Sequence, residues 1–175
     1  IHLRDHQADR AVFDRTARRL IRQLWDISEG IGVSVNAQLD VAADLGVHLH
    51  LGWRGPSVDE ARHRLGDDVL IGYSAHDVVE VQGDRLAAAD YLFFSPVYPT
   101  RSKPDHPGAG LLALETFCAA ASSRPVVALG GITPERVAAC RSAGAYGVAV
   151  LSGIMDASAP HAAARAFVRA LAAPI

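Results

Sequence analysis

Two hydroxyl groups and one ammonium group lie within four residues of each other in the segment Tyr91–Leu111. Thr100, Ser102 and Lys103 follow the short apolar run Tyr91–Phe94, and proline and glycine residues break regular structure around them. Hydroxyl and ammonium groups together can bind an anion, and a phosphate suits this set best. A solvated polar loop is the alternative interpretation of the same residues.

Two glycine-bearing segments downstream favour the phosphate interpretation. Residues 129–133 read LGGIT and residues 151–154 read LSGI, and each follows an apolar run that predicts a strand. Backbone amides at the start of a helix suit a phosphate, and (β/α) barrels build phosphate sites from such loops. We therefore add Gly130, Gly131 and Ser152 to the predicted site. A tight strand-to-helix turn is the alternative role of the two glycines.

Composition limits the classes of function. The chain has 175 residues, half of them hydrophobic, and a formal net charge of -2 without a basic block, so we do not expect a nucleic-acid partner. The sequence shows no apolar run of the ~20 residues needed to span a membrane, and no signal peptide is visible in it. Cys118 and Cys140 lack metal-type spacing and a disulfide framework, which favours a cytoplasmic location. The eight histidines lack ligand spacing on a helix face, so we predict no metal site.

Short apolar runs alternate with helical periodicity along the whole chain. We predict seven strands, at residues 1–4, 32–36, 47–51, 69–72, 91–94, 125–129 and 147–151, each followed by a helix. This pattern indicates an α/β fold, a TIM (β/α)8-type barrel in a single domain over residues 1–175. Because such a barrel needs eight units and the chain begins inside a strand, we expect the first β/α unit to be missing from this chain. A doubly wound open sheet is the alternative.

Three charged or titratable side chains fall at predicted strand ends. His50 and His76 are candidate catalytic groups for proton transfer, although each could instead bond to neighbouring loops. His48 alternates with His50 along its strand, so it points to the other side, where a structural role is expected. Arg4 faces either a substrate or a salt bridge inside the barrel mouth.

The order and spacing of seven segments resemble the thiamine-phosphate synthase family, which also contains the TenI-type thiazole tautomerases. The segments are HLRDH at residues 2–6, VSVNAQLDVAADLG at 33–46, HLG at 50–52, GYSAHD at 72–77, FFSPVYPTRSKP at 93–104, ALGGITPE at 128–135 and AGAYGVAVLSGI at 143–154. This resemblance implies a (β/α) barrel. It also implies that Arg4, Asn36 and Ser74 face the substrate, and that a phosphate or pyrophosphate is held by Thr100, Ser102, Lys103, Gly131, Leu151 and Ser152.

The chain departs from the synthase pattern where the family holds magnesium. In the synthases an aspartate follows the asparagine equivalent to Asn36, and the loop after HLG carries a second acid. This chain has Ala37 and the sequence Trp53-Arg54-Gly55 there, and His6 replaces a lysine. Because the synthase reaction expels pyrophosphate, its developing charge must be neutralised by a metal or by cations. The acids that remain as candidate ligands are Asp40, Asp77 and Asp105.

A tautomerase needs only an acid-base group and a phosphate site. The tautomerases have a histidine where this chain has Pro96, so the proton must be moved by another histidine, of which the candidates are His50, His76, His6 and His106. We expect a TenI-type isomerase that acts without a cofactor on a small phosphorylated thiazole, insensitive to EDTA. The alternatives are a thiamine-phosphate synthase, which would need Mg²⁺ and would here be absent or slow, and a non-catalytic protein that binds thiazole or thiamine phosphate. A homodimer is left open, and no membrane partner is expected.

Overall fold

The structure is a computed structural model that describes residues 1–5 and 7–174, with residue 84 described by its backbone alone. It comprises two compact units. The first unit contains residues 1–73 and 87–90, and the second contains residues 74–86 and the chain from residue 91 onward.

The strands of the first unit are parallel and follow one another in chain order. They are β1 (His2–Leu3), β2 (Ser34–Asn36), β3 (His48–Leu51) and β4 (Ile71–Ala75), whose last two residues belong to the second unit. Leu3 pairs with Val35, Val35 with Leu49 and Leu49 with Ile71. Since parallel strands in register end at one edge, residues that follow β1, β2 and β3 lie at the same edge of this sheet.

Three helices cover the first unit, and their ends follow from identifiable residues. They are α1 (Arg10–Ile27), α2 (Leu39–Leu45) and α3 (Val58–Leu65). Asp9 caps α1 by accepting from the Val12 amide at 2.9 Å, and the Ser57 hydroxyl accepts from the Glu60 amide at 3.1 Å. Gly46 ends α2 in the left-handed conformation, with φ of 62°.

The second unit contains the strands β5 (Tyr91–Phe94), β6 (Val126–Leu129) and β7 (Gly147–Ala149), again parallel and in chain order. Its helices are α4 (Val78–Gln82), α5 (Gly110–Ala120), α6 (Val137–Ser142), α7 (Ser152–Met155) and α8 (Pro160–Ala172), with 3₁₀ turns at Asp84–Leu86 and Pro134–Arg136. Phe94 and Phe117 are buried with ring centroids 4.7 Å apart, so β5 and α5 share an apolar core.

These elements confirm the predicted fold class. Seven strands, parallel wherever their pairing is described, alternate with helices, which is an α/β fold of the TIM type. Among the described residues no helix is long and apolar enough to cross a membrane.

Several elements differ from the prediction. β2 begins at Ser34 rather than at residue 32, and β7 ends at Ala149 rather than at residue 151. β4 begins at Ile71 rather than Val69, because the Leu70 amide donates to Nδ1 of His48 and not to a neighbouring strand. The segment after Thr133 starts as a 3₁₀ turn, and the Thr133 side chain does not cap it. Instead a hydrogen bond from Thr133 is the main cause that lowers the pKa of Glu135. The four-residue helix α7 was missed because it is too short to show periodicity.

Candidate functional site

A tight turn in the second unit presents the hydroxyl and ammonium groups that the sequence singled out. In this lysine turn, Thr100–Lys103, the Lys103 amide donates to the Thr100 carbonyl at 3.1 Å. The Ser102 amide lies 3.4 Å from Oγ1 of Thr100. Thr100 is half-buried, whereas Ser102 and Lys103 are exposed. The structure therefore brings the three side chains together at the surface, where an anion can reach them.

The glycine pair, Gly130 and Gly131, follows β6 and packs against the segment that leads into the lysine turn. The Val97 amide donates to the Leu129 carbonyl at 3.0 Å, and the Tyr98 amide donates to Gly130 at 3.1 Å. Both glycines have positive φ, 98° and 63°. A Cβ at residue 130 would lie 2.6 Å from Cβ of Pro96, and one at residue 131 would lie 2.8 Å from Cβ of Tyr98. Only glycine fits both the conformation and this close approach.

Arg136 links the glycine pair to the same segment, and sequence reasoning missed it. Its Nη1 donates to the Gly131 carbonyl at 2.6 Å, and its guanidinium carbon lies 4.3 Å from the centroid of the Tyr98 ring. The guanidinium group thus holds the turn after β6 against the loop after β5. The spacing of these residues along the chain gives no signal of the contact.

The end of β7 also lies beside the lysine turn. Leu151 is 64% exposed, and its carbonyl accepts from the Ile154 and Met155 amides at 3.0 and 2.9 Å as α7 begins at Ser152. Arg101, inside the lysine turn, forms a 2.7 Å ion pair with Asp156 at the end of α7. Three strand ends of the second unit thus meet around the predicted phosphate residues.

His76 and Ser74 lie at the carboxyl end of β4, in the same unit. Nδ1 of His76 lies 3.1 Å from the Ser95 carbonyl, and the imidazole is exposed. Because a carbonyl oxygen only accepts, Nδ1 carries the proton and Nε2 is left as the basic nitrogen. Ser74 is half-buried one position before the end of the strand. His76 therefore has the tautomer and the access that a proton-transfer group needs.

His50 in the first unit has a different environment. It is 2% exposed, and its ring centroid lies 5.0 Å from that of His2 in an edge-on arrangement. Burial, followed by the positive charges of His2 and Arg4, lowers the pKa of His50 to about 3. Burial is also the main cause that lowers the pKa of His2 to about 4. A neutral imidazole with so low a pKa is a weak base at neutral pH.

Arg4 and Asn36 lie at the same edge of the first unit as His50. Arg4 directly follows β1 and is exposed, and Asn36 is the half-buried last residue of β2, in register with His50. The side chain of Asn36 hydrogen-bonds His2 and opposes the lowering of the His2 pKa. The predicted substrate contacts of the first unit are thus neighbours of one another.

The two other candidate histidines contribute less to the site. Nδ1 of His106 accepts from the Gly108 amide at 3.0 Å, which stabilises the local turn. His6 lies outside the described residues.

The residues at the positions where the resemblance implies magnesium do not fit that ion. Ala37 has no ligand atom, and a Cβ at residue 55 would lie 3.6 Å from the Cβ of Ala37, so the two positions that lack a carboxylate are neighbours. Arg54 lies between them in sequence and stacks on Trp53, with its guanidinium carbon 4.4 Å from the ring centroid. Magnesium prefers carboxylate oxygens, and a guanidinium group repels it.

The other candidate acids have partners elsewhere or lie apart. Asp40 forms 2.7 Å ion pairs with Arg10 and Arg64, and Asp77 caps α4 by accepting from the Glu80 amide at 2.9 Å. Asp105 is exposed beyond the lysine turn. In residues 1–5 and 7–174 no three His, Cys, Asp or Glu side chains form a group that could hold a metal ion.

Comparison with known proteins gives consistent similarities. The model of the family described as thiamine monophosphate synthase matches residues 1–154. The thiamine-phosphate synthase of Bacillus velezensis is 35% identical over 161 residues, which cover 91% of this chain and 69% of that protein. The thiamine-phosphate synthase of Methanoculleus marisnigri is 44% identical over 133 residues, covering 75% of this chain and 63% of that protein. The solved structure of a thiamine phosphate pyrophosphorylase from Pyrococcus furiosus matches with a TM-score of 0.80 and 26% identity, covering 98% of this chain and 81% of that one.

Proposed function

Because this chain belongs to the thiamine monophosphate synthase family, we propose that it catalyses the transfer that joins a pyrimidine diphosphate to a thiazole phosphate in thiamine biosynthesis. The observation that carries the proposal is the meeting of three strand ends in the second unit around Thr100, Ser102 and Lys103. The similar proteins are thiamine-phosphate synthases, which supports a transferase better than the isomerase that the missing acids favoured.

The phosphate of the thiazole is assigned to the second unit. Lys103 supplies a point charge, Thr100 and Ser102 supply hydroxyl donors, and backbone amides near Gly131 and Ser152 complete the contacts. Charge-assisted hydrogen bonds of this kind are about twice as strong as neutral ones. Arg136 acts as a positioning residue, because its bond to the Gly131 carbonyl fixes the backbone around the anion.

The main chemical requirement of the transfer step is neutralisation of the negative charge on the leaving group. In the transfer, the bond between the methylene carbon of the pyrimidine and the diphosphate oxygen breaks, and the thiazole nitrogen forms a new bond to that carbon. The negative charge that develops on the departing pyrophosphate must be stabilised by cations. Since the residues present do not fit magnesium, the first unit supplies positive charge through the arginines Arg4 and Arg54 instead. Arg4 lies at the edge of the first unit beside Asn36.

A second candidate function is a metal-independent isomerase that moves a proton on a thiazole phosphate. Two observations favour it: the absence of carboxylates at residues 37 and 55, and the exposed His76 with its basic Nε2. His76 is the proton-transfer group of choice in that reaction, because the low pKa of His50 makes it a poor base.

One experiment separates these functions. The purified protein is given either the pyrimidine diphosphate with the thiazole phosphate, or the tautomeric thiazole carboxylate phosphate alone, each with Mg²⁺ and with EDTA. Thiamine phosphate from the first pair supports the transferase. Conversion of the thiazole alone supports the isomerase, and binding without either product indicates a non-catalytic phosphate-binding protein.

A further inference from the structure

Two segments of the first unit form a corner at the carboxyl ends of β2 and β3. This corner consists of Ala37, which follows β2, and the turn Gly52–Gly55, which follows β3. The Ala37 amide donates to the His50 carbonyl at 2.9 Å, and the Gly55 amide donates to the Gly52 carbonyl at 3.1 Å. Backbone hydrogen bonds therefore fix both sides of the corner.

The corner has room for two side chains that point toward each other from residues 37 and 55. These residues are alanine and glycine, so neither supplies a polar side-chain atom. A Cβ built on Gly55 would lie 3.6 Å from Cβ of Ala37 and 3.4 Å from a methyl carbon of Leu51, which are ordinary contact distances. Ala37 has φ of 54°, a conformation that aspartate and asparagine adopt more readily than alanine. Carboxylates at these two positions would therefore share one cation.

The charged group that the corner does carry has the opposite sign. Arg54 stacks on the ring of Trp53 at 4.4 Å, and Trp53 is 64% exposed. Stacking occupies the face of the guanidinium group and leaves its N–H donors, which lie in its plane, available for an anion, and Arg54 is exposed. None of the ion pairs among the described residues involves Arg54.

A second cation belongs to the same edge of the sheet. Arg4 follows Leu3, and Leu3 is level with Val35 and Leu49 in the parallel register, so the backbone of Arg4 is level with Asn36 and His50. A stacked guanidinium group and a second arginine at one strand edge suit a polyanion, since guanidinium groups bind phosphate oxygens in a bidentate manner.

We infer that Arg54, held on Trp53, takes the place of the divalent cation at the corner of Ala37 and Gly55, so that this chain binds the diphosphate group of its substrate without metal. The inference rests on the proposed function. The recognised chemistry is a diphosphate, whether it is part of the pyrimidine ester or free as the pyrophosphate product.

The test is calorimetric titration of the whole protein with inorganic pyrophosphate, in EDTA and in excess Mg²⁺. The wild type is expected to bind pyrophosphate in EDTA with an affinity within threefold of that in Mg²⁺. Arg54→Ala is expected to weaken binding in EDTA at least tenfold. Arg15→Ala, which removes an exposed arginine from α1, serves as the matched control and is expected to change the affinity less than twofold.

A gain-of-function variant tests the inference without relying on a loss of pyrophosphate binding. Ala37→Asp combined with Gly55→Asp places two carboxylates at the corner, and it is expected to make pyrophosphate binding at least tenfold tighter in Mg²⁺ than in EDTA. Circular dichroism and urea denaturation verify that this variant is folded. If it does not fold, Arg54→Glu replaces it and is expected to weaken binding in EDTA more than Arg54→Ala does.

Two results would overturn the inference. One is an Arg54→Ala affinity within threefold of the wild type, which would assign pyrophosphate to other residues. The other is wild-type binding that requires Mg²⁺. The proposed function is judged separately by product formation: Arg54-dependent pyrophosphate binding without thiamine phosphate would reject the transferase, whereas Mg²⁺-dependent product formation with no effect of Arg54 would reject the inference alone.

Discussion

Replacement of Gly131 by alanine is expected to destabilise the second unit strongly. Gly131 has φ of 63°, and the left-handed conformation costs an L-residue about 1–2 kcal/mol. The new Cβ would overlap the Pro99 carbonyl oxygen and lie 2.8 Å from Cβ of Tyr98. Overpacking of this kind costs about 1–3 kcal/mol, and the loss of backbone freedom in the unfolded chain returns roughly 0.5–1 kcal/mol. The expected net loss is roughly 1–4 kcal/mol in the free energy of unfolding.

Urea denaturation measures this loss, with Gly147→Ala as the matched control. Gly147 lies in β7, has no positive φ, and has no atom within 4 Å of a built Cβ. With a urea m-value of about 1–3 kcal/mol/M, Gly131→Ala should lower the midpoint by about 1–2 M, whereas the control should change it little. A Gly131→Ala protein as stable as Gly147→Ala would refute the close packing described for the glycine pair.

Three further predictions address the phosphate site, the buried histidines and the metal. Lys103→Ala should weaken thiazole phosphate binding at least tenfold, about 1.4 kcal/mol, by calorimetry, whereas Arg101→Ala in the same turn should change it less than threefold. Burial lowers the pKa values of His50 and His2 to about 3 and about 4, below the unfolded value of about 6.5. The contribution of the neutral imidazoles to the free energy of unfolding is therefore fully present above pH ~6.5 and is lost as the pH falls toward 3. The free energy of unfolding, measured by urea denaturation at each pH, should change by up to about 2.7 kcal/mol per pH unit for the two groups, and His50→Asn should reduce this slope. An equally steep slope in that variant would contradict the buried neutral imidazole. Calorimetric titration of the wild type with Mg²⁺, in the absence of phosphate ligands, should show no saturable heat of binding. Stoichiometric binding of Mg²⁺ would contradict the poor fit of the residues at the corner.

The sequence predicted those structural elements that depend only on a few residues adjacent in the chain. The strand Tyr91–Phe94 was placed at its observed bounds because an apolar run ends there at a serine and a proline. A helix was also expected after the second strand, and α2 is found there, ended by Gly46 in the left-handed conformation. The lysine turn followed from residue types alone, because Thr100, Ser102 and Lys103 are adjacent in sequence as well as in space.

Contacts between segments that are far apart in the chain could not be predicted from the sequence pattern. The stacking of Arg136 on Tyr98 depends on the ends of β5 and β6 lying side by side, which periodicity does not encode. The sequence left two roles open for the glycine pair, and the structure adds a third, which is packing against Pro96 and Tyr98. The contrast between buried His50 and exposed His76 was likewise invisible, because both follow apolar runs.

The most direct measurement of the central claim is product formation by the purified protein from the pyrimidine diphosphate and the thiazole phosphate, with EDTA present throughout. The account predicts that thiamine phosphate and pyrophosphate appear in equal amounts, at a rate within about threefold of that in Mg²⁺, and that the rate falls at least tenfold in Lys103→Ala. If thiamine phosphate does not form under either condition, while the thiazole carboxylate phosphate alone is converted to its tautomer, the chain is an isomerase and the proposed transfer is wrong.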